Sequence, residues 1–408
     1  MTFRIHYSIA AIFLVCVLLA CHGVHNPDLQ ENGTKPIVSS KFLFVGNYTK
    51  MEGHVHGKAE GIQVYRLSED EYPELLFTSK EAINPSYITV SADGRFLYAV
   101  NETGPDVGDE AKIAAYEIND STGVLTLLNE QSSHSFAPCY ISVDSQNRLV
   151  FVVNYVGGVV AVYPINADGS LAGASQVIRL EGQGPHQRQD ASHPHSIILS
   201  PDEEFAFVAD LGTDKIMVYK IDYLQAELIE ASVPFVKLEV PPDSGHLGMG
   251  PRHLVFHPDG LHLYAVNELS NTISVFQYQA ENGNLIAQQS TSTLPLSFSG
   301  ANVCAAIHIS EDGKFLYASN RGHDSVVIYS IDPQTGSLEH IGHEPSRGKF
   351  PRNFLIDGQD LYVANQNTDN VVLFKIGEDG ALTYKSEYAM KTPVCLKVFD
   401  YRTIDAQR

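Results

Sequence analysis

A seven-bladed, all-β propeller is the fold class the sequence predicts, and three observations carry it. One plan recurs along the chain and is seen most fully from Gly250 to Tyr278, GPRHLVFHPDGLHLYAVNELSNTISVFQY. There a first strand is opened by Pro251, a turn falls at Pro258, Asp259 and Gly260, a second strand ends at Asn267, and a third runs from Thr272 to Tyr278. Period-two alternation rich in Val, Leu, Phe and Tyr, bounded by turn residues, is the signature of such a meander. The second observation is that seven second strands follow this plan: FLFVGN ending at Asn47, FLYAVN at Asn101, LVFVVN at Asn154, FAFVAD at Asp210, HLYAVN at Asn267, FLYASN at Asn320 and DLYVAN at Asn365. Their spacing of 45 to 57 residues is close to a propeller blade and longer than a leucine-rich or ankyrin unit. A meander this small cannot bury its own face, so its copies stack radially around a channel, which also leaves few free sheet edges. The third observation lies at the ends. The first copy lacks an opening strand, whereas the tail supplies an orphan one, TPVCLKVF, from Thr392 to Phe399. Pairing the two closes the ring and makes the last strand structural.

Taken in order, the chain begins with a targeting segment. Arg4 precedes an apolar run from Ile9 to Ala20 that is too short to span a bilayer alone. Residues 1–20 read as a lipoprotein signal peptide, because the ending Leu18, Leu19, Ala20, Cys21 resembles a bacterial lipobox. That resemblance implies cleavage before Cys21 and lipidation of its thiol. His22 is not the acidic residue that retains lipoproteins at the inner membrane, which favours the outer membrane. The expected location is periplasm-facing or on the outer-membrane surface, with the lipid at Cys21 as the only membrane attachment. Residues 21–40 form a polar tether containing Pro and Gly, and residues 41–408 form the propeller.

Composition narrows the partners. A formal net charge of -21 argues against nucleic acid and anionic membrane surfaces, which need an excess of Lys and Arg. With Cys16 and Cys21 set aside, Cys139, Cys304 and Cys395 remain, an odd number that leaves at least one thiol unpaired. All three fall near the openings of first strands and read as small apolar fillers around the channel, and the sequence places no base beside Cys139.

The repeat also locates the site. In an up-and-down blade, the start of the first strand and the end of the second lie side by side, opposite the turn. With the turn at Asp259 and Gly260, Arg252 falls nearly opposite Asn267, in a register uncertain by one residue, and Arg252 and Glu268 share one face of the ring. The same construction brings His193, His195 and Asp210 from the fourth blade, Asn320 and Arg321 from the sixth, and Arg352, Asn365 and Gln366 from the seventh. The second blade adds Asn101 and Glu102. The repeated Asn or Asp suits a backbone-bonding role in the following turn. The residues that differ between blades, His193, His195, Arg252, Glu268 and Arg321, are the candidates for chemistry. His193 and His195 supply two imidazoles but no spacing fixes a third ligand, so no metal or other cofactor is expected.

The run GQGPHQRQDASHPHSIILSPD from Gly182 to Asp202 resembles the signature of the lactonase family of seven-bladed propellers. That family includes the propeller type of 6-phosphogluconolactonase and the fungal carboxymuconate lactonising enzyme. NYVGGVVAVYPI from Asn154, GPRHLVFHPDG from Gly250, YAVNEL from Tyr264 and YASNRGHDSV from Tyr317 match it in type and order. The resemblance covers nearly all of the chain after the tether. It implies a metal-independent site at the channel mouth, with the catalytic histidine at His195, arginines at Arg252 and Arg321, and the acid at Glu268. Substrate contacts are expected from His193, Arg188, Gln189, Asn267, Asn320 and Arg352, with His186, Arg188 and Gln189 in a loop over the mouth. One departure is APCYISV in the third blade, where Tyr140 stands in place of a histidine common in relatives, which bears on the substrate pocket.

Lactone hydrolysis needs a base for water, a stabiliser of the tetrahedral oxyanion and an acid for the leaving alkoxide. Neutral His195 suits the first, Glu268 orients or balances it, and Arg252 and Arg321 bind anionic groups. The expected ligand is a small lactone or carboxylate. Two alternatives stand beside the hydrolase: a carboxymuconate-type lactonising cycloisomerase using the same groups, and a non-catalytic propeller binding a ligand or protein at the same mouth.

Overall fold

The computed structural model describes residues 41–401 apart from 54, 69–71, 108–109 and 242–244. Cys21, the signal peptide and the tether lie outside the described residues. Seven four-stranded antiparallel sheets are present, each a blade. The fifth blade is typical, with strands Pro251–Phe256, His262–Asn267, Thr272–Gln279 and Asn284–Ser292 from channel to rim. The fourth strand is an addition to the three-stranded unit read from the sequence. Its outward positions are polar and exposed, as in NLIAQQSTS, so it carries little of the apolar alternation that marks the inner strands.

Closure follows the expected pairing. Pro393–Asp400 is the innermost strand of the first blade and pairs antiparallel with Lys41–Asn47, Phe42 opposite Phe399 and Val45 opposite Leu396. Ile62–Leu67 and Glu74–Ser79 complete that sheet. Both termini therefore share one blade, and no inner edge of that blade is left open.

Blades are held together by apolar faces and by a repeated polar tie. Phe42 and Val64 of the first blade, Leu97 and Ala115 of the second, and Val150 and Val152 of the third belong to one buried cluster. In blades two, five and six the Tyr of the second strand donates its hydroxyl to a glycine carbonyl in the outer hairpin of the next blade: Tyr98 to Gly169 at 3.1 Å, Tyr264 to Gly336 at 2.8 Å and Tyr317 to Gly380 at 2.9 Å. Gly169 has φ +86°, and a Cβ there would meet the Phe96 ring at 2.1 Å, so the close blade contact admits no side chain.

One register differs from the expectation and matters for the site. Pro251, not Arg252, pairs with Asn267, and the next pair is His253 with Val266. Arg252 is the extra residue of a β-bulge. The same shift makes Cys139, His195 and Arg352 the unpaired residue after Pro138, Pro194 and Pro351, and Val394 the one after Pro393. A bulge re-aims its side chain out of the pleat, here at the end of the inner strand.

Deletion of residues 393–408 should abolish cooperative thermal unfolding followed by far-ultraviolet circular dichroism, because the first blade loses its inner strand. A truncated protein melting within a few degrees of the full chain would refute this account of closure.

Candidate active site

Two kinds of position supply seven of the side chains at one mouth of the channel: the bulged residue of the inner strand and the residue following the Asn or Asp of the second. A cavity of about 490 Å³ there is lined by Glu102, Tyr155, Glu268 and Arg321 from the second position and by Cys139, His195 and Arg352 from the first. Arg188 reaches the same cavity from the loop before the fourth blade.

Glu268 is the electrostatic centre. Its Oε1 accepts from Arg188 Nη1 at 2.6 Å, while Oε2 lies 2.8 Å from Arg321 Nη2 and 2.9 Å from Arg252 Nε. Burial alone would raise its pKa, but Arg321, Arg188 and Arg252 outweigh burial and hold the carboxyl well below the usual range. Glu268 is thus a fixed negative charge, unsuited to taking or giving a proton near neutrality. Arg321 Nη2 also donates to the Cys304 carbonyl at 2.7 Å. Burial, with Glu268 opposing it, lowers Arg321 from its ordinary value. Guanidinium groups nonetheless stay charged in proteins.

Arg252 stands behind this carboxylate and does not line the cavity, which corrects its expected place among the groups facing substrate. Its Nη1 donates to the Ala305 carbonyl at 2.7 Å and lies 2.9 Å from His253 Nε2. A guanidinium only donates, so His253 Nε2 accepts and the ring proton sits on Nδ1.

His195 lines the cavity as a neutral imidazole. Burial, then the charge of Arg252, pushes its pKa well below the ordinary value, and Glu268 only partly offsets them. Its Nδ1 lies 3.8 Å from Cys139 Sγ. The sequence placed no base near Cys139, and the bulges of adjacent blades supply one. Burial lifts the Cys139 thiol far above its ordinary value, so the sulfur is a protonated wall of the cavity. Cys139, Cys304 and Cys395 are all free and buried.

Across the channel, Arg352 Nη2 lies 3.9 Å from Glu102 Oε1, and the buried phenol of Tyr48 is hydrogen-bonded to Glu102. Glu102 lies at the mouth, where the repeat places it, whereas Tyr48 and Tyr155 are not among the expected residues. The signal for them was the residue after each repeated Asn, which reads Tyr48, Glu102, Tyr155, Leu211, Glu268, Arg321 and Gln366 around the ring.

Several expected substrate contacts are scaffold instead. Asn267 Nδ2 donates to Thr272 Oγ1 and Ser274 Oγ at 2.9 Å, and Asn320 Nδ2 donates to the Thr293 carbonyl at 2.9 Å; both residues are fully buried. Gln189 is equally buried, its Nε2 donating to Asp214 Oδ1 at 2.6 Å and the Leu211 carbonyl at 2.8 Å. His193 stacks on Tyr155 with ring centroids 4.5 Å apart, and its nitrogens engage the Tyr155 carbonyl at 2.8 Å and Asp190 at 3.0 Å. It is a buttress for Tyr155, whose hydroxyl accepts from Arg188 at 3.2 Å. Of the loop residues, only Arg188 reaches the cavity, with its side chain 39% exposed. Tyr140 also falls outside the lining: it stacks on Tyr87 at 4.1 Å and meets the His253 edge at 5.3 Å. The departure at Tyr140 therefore bears on the filling of the channel beside the cavity.

The family profile described as Lactonase, 7-bladed beta-propeller matches residues 42–398. A Bacillus subtilis protein named 6-phosphogluconolactonase is 34% identical over 361 residues, covering 87% of this chain and 97% of its own length. A Formosa agariphila protein of the same name is 36% identical over 322 residues, covering 77% of this chain and 86% of its own. The solved structure of the periplasmic gluconolactonase of Pseudomonas aeruginosa superposes with a TM-score of 0.81 at 35% identity, covering 89% of this chain and 100% of that one.

Glu268→Gln should cost about 3–5 kcal/mol in urea unfolding, because it leaves buried guanidinium groups without their counter-charge. A loss under 1 kcal/mol would show the cluster to be better solvated than its burial implies. Acid should weaken the fold as well. His195, His253 and His308 are all depressed, mainly by burial, His308 to about 3. Such groups remain neutral in the fold while the unfolded chain takes up protons, so their stabilisation is complete above about pH 6.5 and is lost as pH falls below it. For His308 the loss between pH 7 and 5 is about 2 kcal/mol, and His308→Asn should flatten the fall in Tm over that window.

Proposed function

The chain belongs to the lactonase family of seven-bladed β-propellers, and from that premise we propose that it hydrolyses a small carbohydrate-type lactone at the channel mouth. The observation that carries the reading is a neutral imidazole, His195, lining the same cavity as Arg188 and Arg321, which a permanently ionised Glu268 holds in place.

Each group has a step. His195 takes a proton as water attacks the ester carbonyl carbon, and the carbonyl π electrons move onto oxygen. Arg321 and Arg188 stabilise that oxyanion. As the tetrahedral species collapses, the ring C–O bond breaks and the imidazolium returns the proton to the leaving alkoxide, giving a hydroxy acid. A depressed pKa makes His195 a weaker base and its conjugate acid a stronger one, which favours the second transfer. Arg252 acts indirectly by fixing Glu268 and the His253 ring beside His195, whose centroid lies 5.6 Å away.

The reading extends to location. The leader ending at Cys21 supports export and a lipid anchor, where a phosphorylated metabolite would rarely be met. The name of the Pseudomonas relative, a periplasmic gluconolactonase, is consistent with such a setting.

Proton release from aldonolactones, followed by pH-stat, tests the chemistry. His195→Ala should lower kcat by about 10²–10⁴-fold with an unchanged melting temperature. Retention of more than one-tenth of the activity would remove His195 from the mechanism, and lactone formation from a carboxymuconate, followed by ultraviolet absorbance, would replace hydrolysis with cycloisomerisation. The acid limb of kcat/KM should lie below pH 6.5, since His195 stays neutral past its ordinary titration point.

A further inference from the structure

The cavity is electrically lopsided. On the side of blades four to six, Arg188, Arg252 and Arg321 gather around the single carboxylate of Glu268, which leaves that wall cationic. Blades one and two lie across the ring, and from them Glu52, Glu102 and Asp106 line the same cavity. Arg352 is the guanidinium close to that second group, 3.9 Å from Glu102. The acidic wall is held in shape by Asn84, whose Nδ2 donates to Glu52 Oε1 at 2.9 Å and to the Glu102 carbonyl at 3.1 Å. Burial chiefly, with Glu102 and Asp106 adding to it and hydrogen bonds from the Gly104 backbone and Asn84 opposing it, lifts the Glu52 carboxyl above its ordinary value.

This polarity orients a lactone. The carbonyl, where negative charge develops, belongs beside His195 and Arg321. The far end of a polyhydroxylated chain then meets Glu52, Glu102 and Asp106. Ionised carboxylates only accept hydrogen bonds, so they suit hydroxyl donors and repel an anion. The net charge of -21 adds a field that further disfavours a dianion. We propose that the mouth selects a polyhydroxylated lactone whose far end is uncharged, and discriminates against the same lactone carrying a phosphate at that end. The orientation rests on the hydrolase reading above; the selection itself is a property of the acidic wall.

The test compares glucono-1,5-lactone with its 6-phosphate on the full chain, together with calorimetric binding of gluconate and 6-phosphogluconate. The unphosphorylated lactone should be favoured at least about tenfold in kcat/KM, the equivalent of about 1.4 kcal/mol. In the Glu52→Gln, Asp106→Asn double variant, that ratio should shrink at least about threefold through better use of the phosphorylated form. A wild-type preference for the phosphate, or a ratio unmoved by the double substitution, overturns the proposal. If neither lactone turns over, the hydrolase reading fails, and the selection is judged by binding. Tighter binding of gluconate, weakened relative to 6-phosphogluconate in the double variant, then sustains it. Equal or tighter binding of 6-phosphogluconate, or no binding of either, overturns it.

Discussion

In blades one, three, four, five and seven the innermost ladder breaks after the pair made by a proline, and the arrangement of the mouth depends on that break. In regular pleating, the residue after Pro194 would pair with the second strand and point into a blade interface. Because Pro194 pairs with Asp210 and Ser196 with Ala209, His195 is left over. The same misfit leaves Cys139, Arg252 and Arg352 unpaired in their blades. Proline suits the position before each bulge, since it has no N–H to give to the ladder. A backbone irregularity repeated by near-symmetry thus delivers chemically different side chains to one place.

Gathering those groups is energetically demanding, and the buried carboxylate makes it tolerable. Arg252 and Arg321 are nearly inaccessible to solvent, and two such cations could not remain together without Glu268 between them. The same carboxylate also anchors the loop-borne Arg188, which joins the fourth-blade loop to the fifth blade. Its arginines fix Glu268 as an anion, while His195 is kept neutral by burial and by the charge of Arg252. Stability and the placement of Arg188 and Arg321 in the cavity draw on the same carboxylate.

A wide mouth with unlike walls differs from a plain cationic funnel. The tie between Glu102, Tyr48 and Arg352 gives the second wall its own internal support, separate from the Glu268 cluster. Propellers achieve such asymmetry cheaply, because the two mouth positions of each blade vary without disturbing the apolar strands behind them. Leu211 and Val394 occupy those positions as well, are buried, and show that not every blade contributes polar chemistry.

The amino-acid sequence by itself determined the blade number, the meander and the closure of the ring, because these rest on alternation, turn residues and a period that are written locally. It also placed Glu268 and Arg321 at the mouth, since each follows a repeated Asn whose position is periodic. Only the tertiary structure decided that Arg252 backs Glu268, that His195 meets Cys139, and that Gln189 and His193 serve the scaffold. A bulge shifts a side chain by one residue without altering the apolar pattern, and burial of a polar group depends on neighbours from other strands and blades, as where His195 meets Cys139 from 56 positions away. Local pattern carries neither quantity, whereas packing of the closed ring sets both.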